Sequence, residues 1–371
     1  MIDVWTQPLT LRGLYALAMG RAFLRFRDPR RRTSGRSHTA FYQRTWREAA
    51  SEIGATYTAL GSGIGEIDLD GQRTYVTDNV TAIDDPVTLA VLHDKVLTHR
   101  LLREEGLSVP RHAAFSIGEL GPAKAFISTC LGDCVVKPAG GTGGGRGVTT
   151  GIRRPSHLAR AAAWAAVYND ELMIEEQIHG DNYRLLYLDG VLIDSFVRRL
   201  PSVVGDGRTN VAGLVRRAND ERLRNGSDIS QVLLSVDLDM RRTLAKQGLS
   251  LRSVPAAGTQ VTLKTVVNEN SGADNTTATP LLCQSIINDG ARAARSLRVR
   301  FAGIDIVTAD PTVPLADSGG VILEVNGTPN LYYHYKKRDG CFPVATHLLR
   351  RMLFERSASM ANEMAAAAQD A

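Results

Sequence analysis

The spacing of hydrophobic positions changes several times along this chain, and each change marks a new element. From Leu9 the run LTLRGLYALAMGRAFLRF carries apolar residues at helical spacing among arginines, and predicts a helix that ends at Asp28-Pro29 and gives way to a polar tract. FYQRTWREAASEIG, residues 41–54, is again helical, and two short strand segments, ATYTAL and RTYVTD, follow around a glycine-rich turn. Val87 to Glu105 reads as one helix stopped by Gly106, with Pro110 beyond. From Asp133 come a strand DCVVKPA, a glycine-dense turn, a second strand GVTTGI, a helix from Pro155 to Tyr168 and an apolar strand ELMIEEQI. Asp189-Gly190 sits between NYRLLYL and VLIDSFVRR and predicts a two-residue hairpin. Beyond the polar loop PSVVGDGRTN the pattern predicts helices near 210–224, 237–247 and 279–298, strands FAGIDIVTA and GVILEVN, and an alanine-rich, frayed C-terminal tail.

These elements describe an α/β (α+β) protein. Residues 1–85 form a small N-terminal lobe with a basic leading segment, 86–200 a linker helix and first subdomain, 201–350 a second subdomain, and 351–371 a tail. The 371 residues, 43% hydrophobic and 22% charged, have the composition of a soluble globular chain with material for two or three domains of about 150 residues each. No apolar run approaches the roughly 18 to 20 residues a bilayer needs, and no secretory leader is evident, so a cytoplasmic protein without a membrane span is expected. Cys130, Cys134, Cys283 and Cys341 have neither CxxC spacing nor neighbouring histidines and read as reduced packing thiols.

Charge changes the picture only locally. The net charge is +5, yet residues 1–50 hold ten arginines against Asp3, Asp28 and Glu48, so the remainder is slightly acidic and no nucleic-acid face is expected on the body. The basic leading segment reads as a solvated stretch packed on its own domain, ahead of a membrane surface or partner helix as its contact. Lysine occurs only seven times, so a lysine inside a motif is informative. One such lysine ends the strand Val135-Val136-Lys137-Pro138, directly before AGGTGGGRG. A loop with so little side-chain bulk lets backbone N–H groups close on phosphate oxygens while the lysine supplies a point charge. Neither the P-loop GK[ST] nor GxGxxG can be read from these residues.

In the last strand, alternation puts Glu324 and Asn326 on one side and Val325 on the other. Asp305 lies between Ile304 and Ile306 in the strand before it. If the two strands pair, three oxygen-bearing side chains converge, a set suited to Mg²⁺ with substrate phosphates completing its shell.

Six motifs in collinear order, DKVLTHRLLREEGLSVP (Asp94 to Pro110), VVKP with its glycine loop, EEQIHGDNYR (Glu175 to Arg184), RLPSVVGDG (Arg199 to Gly207), AGID (Ala302 to Asp305) and EVNGTP (Glu324 to Pro329), resemble the ATP-grasp carboxylate–amine ligases. The resemblance is strongest to the ATP-grasp portions of cyanophycin synthetase and bifunctional glutathione synthetase, and spans roughly residues 86–347. It implies an ATP-grasp fold with the nucleotide held between two α+β lobes. It implies further that Lys95 and Lys137, with Gly143, Gly144 and Gly145, hold the phosphates of ATP, that Glu175, Glu176 and Ile178 line the adenine, and that Asn182 meets the ribose where relatives have an acid, with Asp181 next door as a substitute. Arg184 and Arg199 are then candidates for the transferring phosphate or the activated carboxylate, and Asp305, Glu324 and Asn326 for one or two Mg²⁺ ions, with Mn²⁺ as a substitute. His334 is implied to line the substrate or the packing rather than to be catalytic, and the stretch Asn268 to Thr279 departs from the family loop it resembles.

The function this implies is an ADP-forming ligase that activates a carboxylate as an acyl phosphate and joins it to an amine, acting on amino acids or short peptides, with a homodimer as the suggested assembly. A small-molecule kinase and a catalytically silent nucleotide-binding regulator are the competing readings. The RLPSVVGDG loop argues against the first, and the retained lysines and acids against the second.

Overall fold

The structure, a computed structural model, describes residues 9–26, 29–224 and 233–354. The alanine-rich tail expected to fray and Asp28, where the first helix is expected to end, lie outside them. Among the described residues no helix is long and apolar enough to cross a membrane.

The helix Leu9–Phe26 places Leu11 in the cluster that also holds Leu158 and Ala162, so it packs on the glycine-loop sheet, whereas the sequence reading expects it on its own N-terminal lobe. The polar tract expected after it is helical: Pro29–Glu52 is one 24-residue helix, because Phe41, Tyr42, Trp46, Ala49 and Ala50 form a buried stripe that fixes it on the small N-terminal sheet. That sheet is an antiparallel meander, β1 (Thr56–Gly61), β2 (Ile64–Leu69), β3 (Gln72–Thr77) and β4 (Val80–Thr81). Strand β2 falls where the sequence predicts a single glycine-rich turn. Ser62-Gly63 (φ 51° and 80°) and Asp70-Gly71 (φ 51° and 84°) are instead two separate hairpin turns.

The predicted helix from Val87 to Glu105 is two helices, Pro86–His93 and Lys95–Glu104. They break at Asp94, whose extended backbone (φ −96°, ψ 101°) lets its carboxylate accept from Leu97 N as the N-cap of the second. The next sheet holds β5 (His112–Ser116), β6 (Cys134–Pro138), β7 (Thr149–Ile152) and β8 (Glu171–Glu176) in the order β5-β8-β6-β7, all antiparallel, and packs against the helices Gly121–Thr129 and Pro155–Ala165.

The hairpin β9 (Asp181–Leu188) and β10 (Val191–Arg198) turns at Asp189-Gly190, both at positive φ, as predicted. An inserted unit follows, with the short pair β11 (Ser202–Val204) and β12 (Gln260–Thr262) and the helices Val211–Arg224 and Leu238–Lys246 around its own core. Asp239 ties this unit to β7 by accepting from Thr150 Oγ1 (2.8 Å) and Thr265 Oγ1 (3.0 Å). The chain then adds β13 (Thr276–Thr277), β14 (Phe301–Thr308) and β15 (Val321–Asn326) to give the five-stranded order β13-β10-β9-β14-β15, so strands from both sides of residue 200 share one sheet. The helix expected from 279 begins as a 3-10 turn, Thr279–Leu281, and the α-helix proper runs Gln284–Ser296, because Leu282 and Cys283 are extended.

Alternation sorts the five-stranded sheet. Tyr183, Leu185, Tyr187, Ile304, Ile306 and Val325 form one apolar face against the helix Gln284–Ser296. On the other face Leu186, Phe196 and Phe301 join the N-terminal lobe at one end, and Asn182, Arg184, Arg198, Asp305, Glu324 and Asn326 line a cavity at the other.

Candidate active site

The floor of the cavity is one row across three strands, Arg184 opposite Asp305 and Asp305 opposite Glu324, with Asn326 opposite Gly303. Arg184 grips Asp305 with both arms of its fork, Nε to Oδ1 at 2.6 Å and Nη2 to Oδ2 at 2.9 Å. Only glycine leaves space for this: a Cβ at Gly303 would lie 2.5 Å from Arg184 Nη1. Arg198 approaches the same carboxylate at 3.5 Å and donates to Asn268 Oδ1 at 2.7 Å. Burial alone would raise the Asp305 pKa, but the two guanidinium groups override it and hold the carboxyl below the usual range.

The opposite wall comes from β6 and β8. Lys137 reaches Glu175 Oε1 at 2.7 Å, both side chains being buried. Burial pushes the Glu175 carboxyl up despite that lysine, and its Oε2 has no hydrogen-bond partner. The glycine loop after Lys137 turns through positive φ at Gly141, Gly144, Gly145 and Gly147, a path that side chains would strain. Lys95 N donates to Ala139 O at 2.9 Å, which seats the helix Lys95–Glu104 beside this loop. Lys95 Nζ lies 3.4 Å from Glu324 Oε1 and so joins the loop side of the cavity to the acid strand. The space enclosed is about 950 Å³, within the range of small-molecule sites.

All fourteen residues singled out in the sequence line this one cavity: Lys95, Lys137, Gly143, Gly144, Gly145, Glu175, Glu176, Ile178, Asn182, Arg184, Arg199, Asp305, Glu324 and Asn326. Their places within it differ. Glu175 presents a side chain to Lys137 while its backbone lies in the ladder between β5 and β6, and the amides of Glu176 and Gln177 donate to the carbonyls of Arg111 and Asp133. Asn182 Oδ1 is buried and unpartnered, an acceptor facing the cavity. Arg199 sits on the exposed rim, 3.3 Å from Asp181. His334 is buried outside the lining, with Nδ1 2.6 Å from Asp194 Oδ2, and burial lowers its pKa to about 4. It is a packing histidine.

Sequence reasoning missed Arg198. A regular hairpin through Asp189-Gly190 pairs Leu188 with Val191 and would carry residues 195, 197 and 199 onto the Arg184 face. A bulge between Leu192 and Asp194 shifts the register by one, pairs Phe196 with Arg184 and Arg198 with Asn182, and turns Arg198 inward in place of Arg199. No signal in the letters marks that bulge. Asn268 and Tyr333 were also missed: Tyr333 Oη donates to Asn268 O at 3.2 Å, and the Arg198 guanidinium lies 5.9 Å from the Tyr333 ring centroid.

Chemically, the cavity offers cations on two walls, unpartnered acceptors on Glu175 and Asn182, and the oxygens of Asp305, Glu324 and Asn326 from adjacent strands. Among the described residues there is no cluster of three His, Cys, Asp or Glu placed for a metal ion. The predicted trio is two carboxylates and an amide, all hard oxygen donors. Each carboxylate oxygen has two lone pairs, so Asp305 can face a cation while Arg184 is bound, and the set fits Mg²⁺.

No family model matches the chain. It is 30% identical over 251 residues to cyanophycin synthetase of Trichormus variabilis, covering 67% of this chain and 27% of that protein. It is 28% identical over 286 residues to the glutathione biosynthesis bifunctional protein GshAB of Pasteurella multocida, covering 74% of this chain and 37% of that protein. The chain therefore spans 27% to 37% of the length of these curated relatives. A solved bifunctional glutathione synthetase from Pasteurella multocida shares the fold with a TM-score of 0.53 at 21% identity, covering 83% of this chain and 43% of that one. With the collinear motifs meeting in one cleft and these likenesses, the chain belongs to the ATP-grasp ligases.

Proposed function

We propose that the protein is an ATP-dependent, ADP-forming carboxylate–amine ligase acting on an amino acid or short peptide. The observation that supports this is the Lys95–Glu324 approach of 3.4 Å between the glycine-loop side and β15, with Asp305 opposite Glu324 on β14, a separation that one triphosphate can bridge. A carboxylate resists amines because oxide would have to leave. Transfer of the γ-phosphoryl group of ATP makes an acyl phosphate and ADP, and attack by the amine then forms the amide and releases phosphate.

Lys95, Lys137 and the loop amides of Gly143, Gly144 and Gly145 bind the phosphate oxygens. Glu175 keeps Lys137 extended, the backbone at Ile178 meets the adenine beyond the strand ladder, and Asn182 Oδ1 accepts from a ribose hydroxyl. Arg184 and Arg198, two planar fork donors side by side, orient the carboxylate against the transferring phosphate. Mg²⁺ held by Asp305, Glu324 and Asn326, as one ion or two and with Mn²⁺ able to replace it, supplies charge neutralisation at the phosphates. The glycine loop covers the reacting atoms and excludes water. Use of ATP fits a cytoplasmic protein, and the family likeness a homodimer.

Incubation with ATP, Mg²⁺ and a panel of amino acids and short peptides, read by ADP release and mass spectrometry, tests the proposal. Amine-dependent ADP release with a product lighter than its two substrates by one water is expected. A phosphoester product would make the protein a kinase, and ATP binding without turnover on every substrate pair a regulator.

A further inference from the structure

A second cavity, of about 690 Å³, shares no lining residue with the cleft. Four helices and the segment 233–237 line it, and each helix contributes one arginine: Arg21 from Leu9–Phe26, Arg160 from Pro155–Ala165, Arg216 from Val211–Arg224 and Arg241 from Leu238–Lys246. None of the four side chains has a hydrogen bond or ion pair among the described residues. The one carboxylate on the lining, Asp237, is already used, with Oδ2 2.6 Å from Lys264 Nζ and Oδ1 accepting from Met240 N at 3.0 Å. Among the described residues, the cavity is therefore bordered by four exposed arginines with no acidic partner and by no free carboxylate.

Its remaining walls are largely apolar, with Leu17, Trp164, Val215 and Leu234 among them, and Leu17 is 61% exposed. The wall at Leu234 is built into the fold. Asn219, itself buried, accepts from Leu234 N at 2.8 Å and donates to Leu234 O at 3.0 Å. Such a space, an apolar body crowned by planar fork donors, is complementary to a molecule with an apolar body and a carboxylate or phosphate head.

We propose that this cavity binds a free anionic amphiphile, its apolar body against Leu17, Trp164, Val215 and Leu234 and its head among Arg21, Arg160, Arg216 and Arg241. The proposal is independent of the ligase reading, since it concerns other residues and is tested by binding alone.

The probe is laurate below its micelle concentration, titrated into the full chain by calorimetry and by the fluorescence of Trp164, with dodecyltrimethylammonium as a tail-matched cation. One saturable laurate site per chain is expected, at least tenfold tighter than the cation. The double variant Arg216→Ser/Arg241→Ser should weaken it at least tenfold. If that variant does not fold, Leu17→Glu, at an exposed position, should give a similar loss. Absence of saturable laurate binding, equal affinity for the cation, or indifference to both variants overturns the proposal. So does cosedimentation with phosphatidylglycerol vesicles without laurate binding, which would make the patch a membrane contact.

Discussion

Arg198 and Arg199 are neighbours with opposite expected consequences. Arg198 is buried over Asp305, and its pKa is lowered by burial and by Arg184, whereas Arg199 pairs with Asp181 in solvent. Arg198→Ala is expected to lower kcat/KM for ADP formation about 100-fold, on the scale of losing one oriented donor. Arg199→Ala should cost less than about fivefold, since an exposed pair contributes at most about 1 kcal/mol. Steady-state ADP release, with circular dichroism to check folding, separates the two. Lys137→Ala and Glu324→Ala should each abolish ADP formation with the fold intact. For Lys137→Ala the stranded Glu175, whose pKa is already raised by burial, takes up a proton and avoids a buried unpaired charge. Full activity in either variant would remove the proposed phosphate or metal site.

Among the elements, the break at Asp94 has the clearest testable effect. Its carboxylate caps the helix whose first residue is Lys95, and its backbone bridges to Gly140 in the glycine loop. Asp94→Ala is expected to cost about 1 kcal/mol of stability by loss of the cap and to raise KM for ATP more than it lowers kcat. Thermal melts and initial rates against ATP check both, and an unchanged KM would show that the cap does not place Lys95. This break is legible only in part. DKVLTHRLLRE carries a capping residue, but the apolar run across it reads as one helix, and extended backbone at a single residue depends on the contact with the loop. Hairpin β9–β10 was legible as a hairpin from Asp189-Gly190, while its bulge, and with it the choice between two adjacent arginines, was not.

At the scale of the molecule, the N-terminal lobe holds the segment that follows β15. Tyr42 Oη donates to Asn330 Oδ1 (3.0 Å) and accepts from Leu331 N (3.0 Å), and Asn79 Nδ2 donates to Thr328 O (2.5 Å). Tyr42→Phe leaves the buried Leu331 N without its acceptor, while Asn330 Oδ1 keeps the bond from Tyr332 N, and should cost roughly 1–3 kcal/mol in chemical denaturation. Buried histidines set the pH dependence. Burial lowers the His99 pKa to about 3 and that of His334 to about 4, from an ordinary 6.5. The unfolded chain therefore binds more protons than the folded one below pH 6.5. Stability should fall as pH drops from 6.5 towards 4, on the order of 2 kcal/mol per histidine by pH 5, and level off below the folded values. Asp305, with its pKa held low, adds its loss only below the ordinary carboxylate range. Melting temperature against pH measures this, and His334→Gln should flatten the slope.

Local chemistry written in the sequence determined the hairpin turns, the glycine loop after Lys137, the alternation of Glu324 and Asn326, and the collinear motifs that mark an ATP-grasp ligase. Each of these depends on residues a few positions apart. The tertiary structure alone decided which strands share a sheet, that Arg198 and not Arg199 faces Asp305, that the first helix lies on the glycine-loop sheet, and that four arginines from four helices surround one cavity. Those outcomes depend on register shifts and on packing between segments more than two hundred residues apart, which no local pattern encodes.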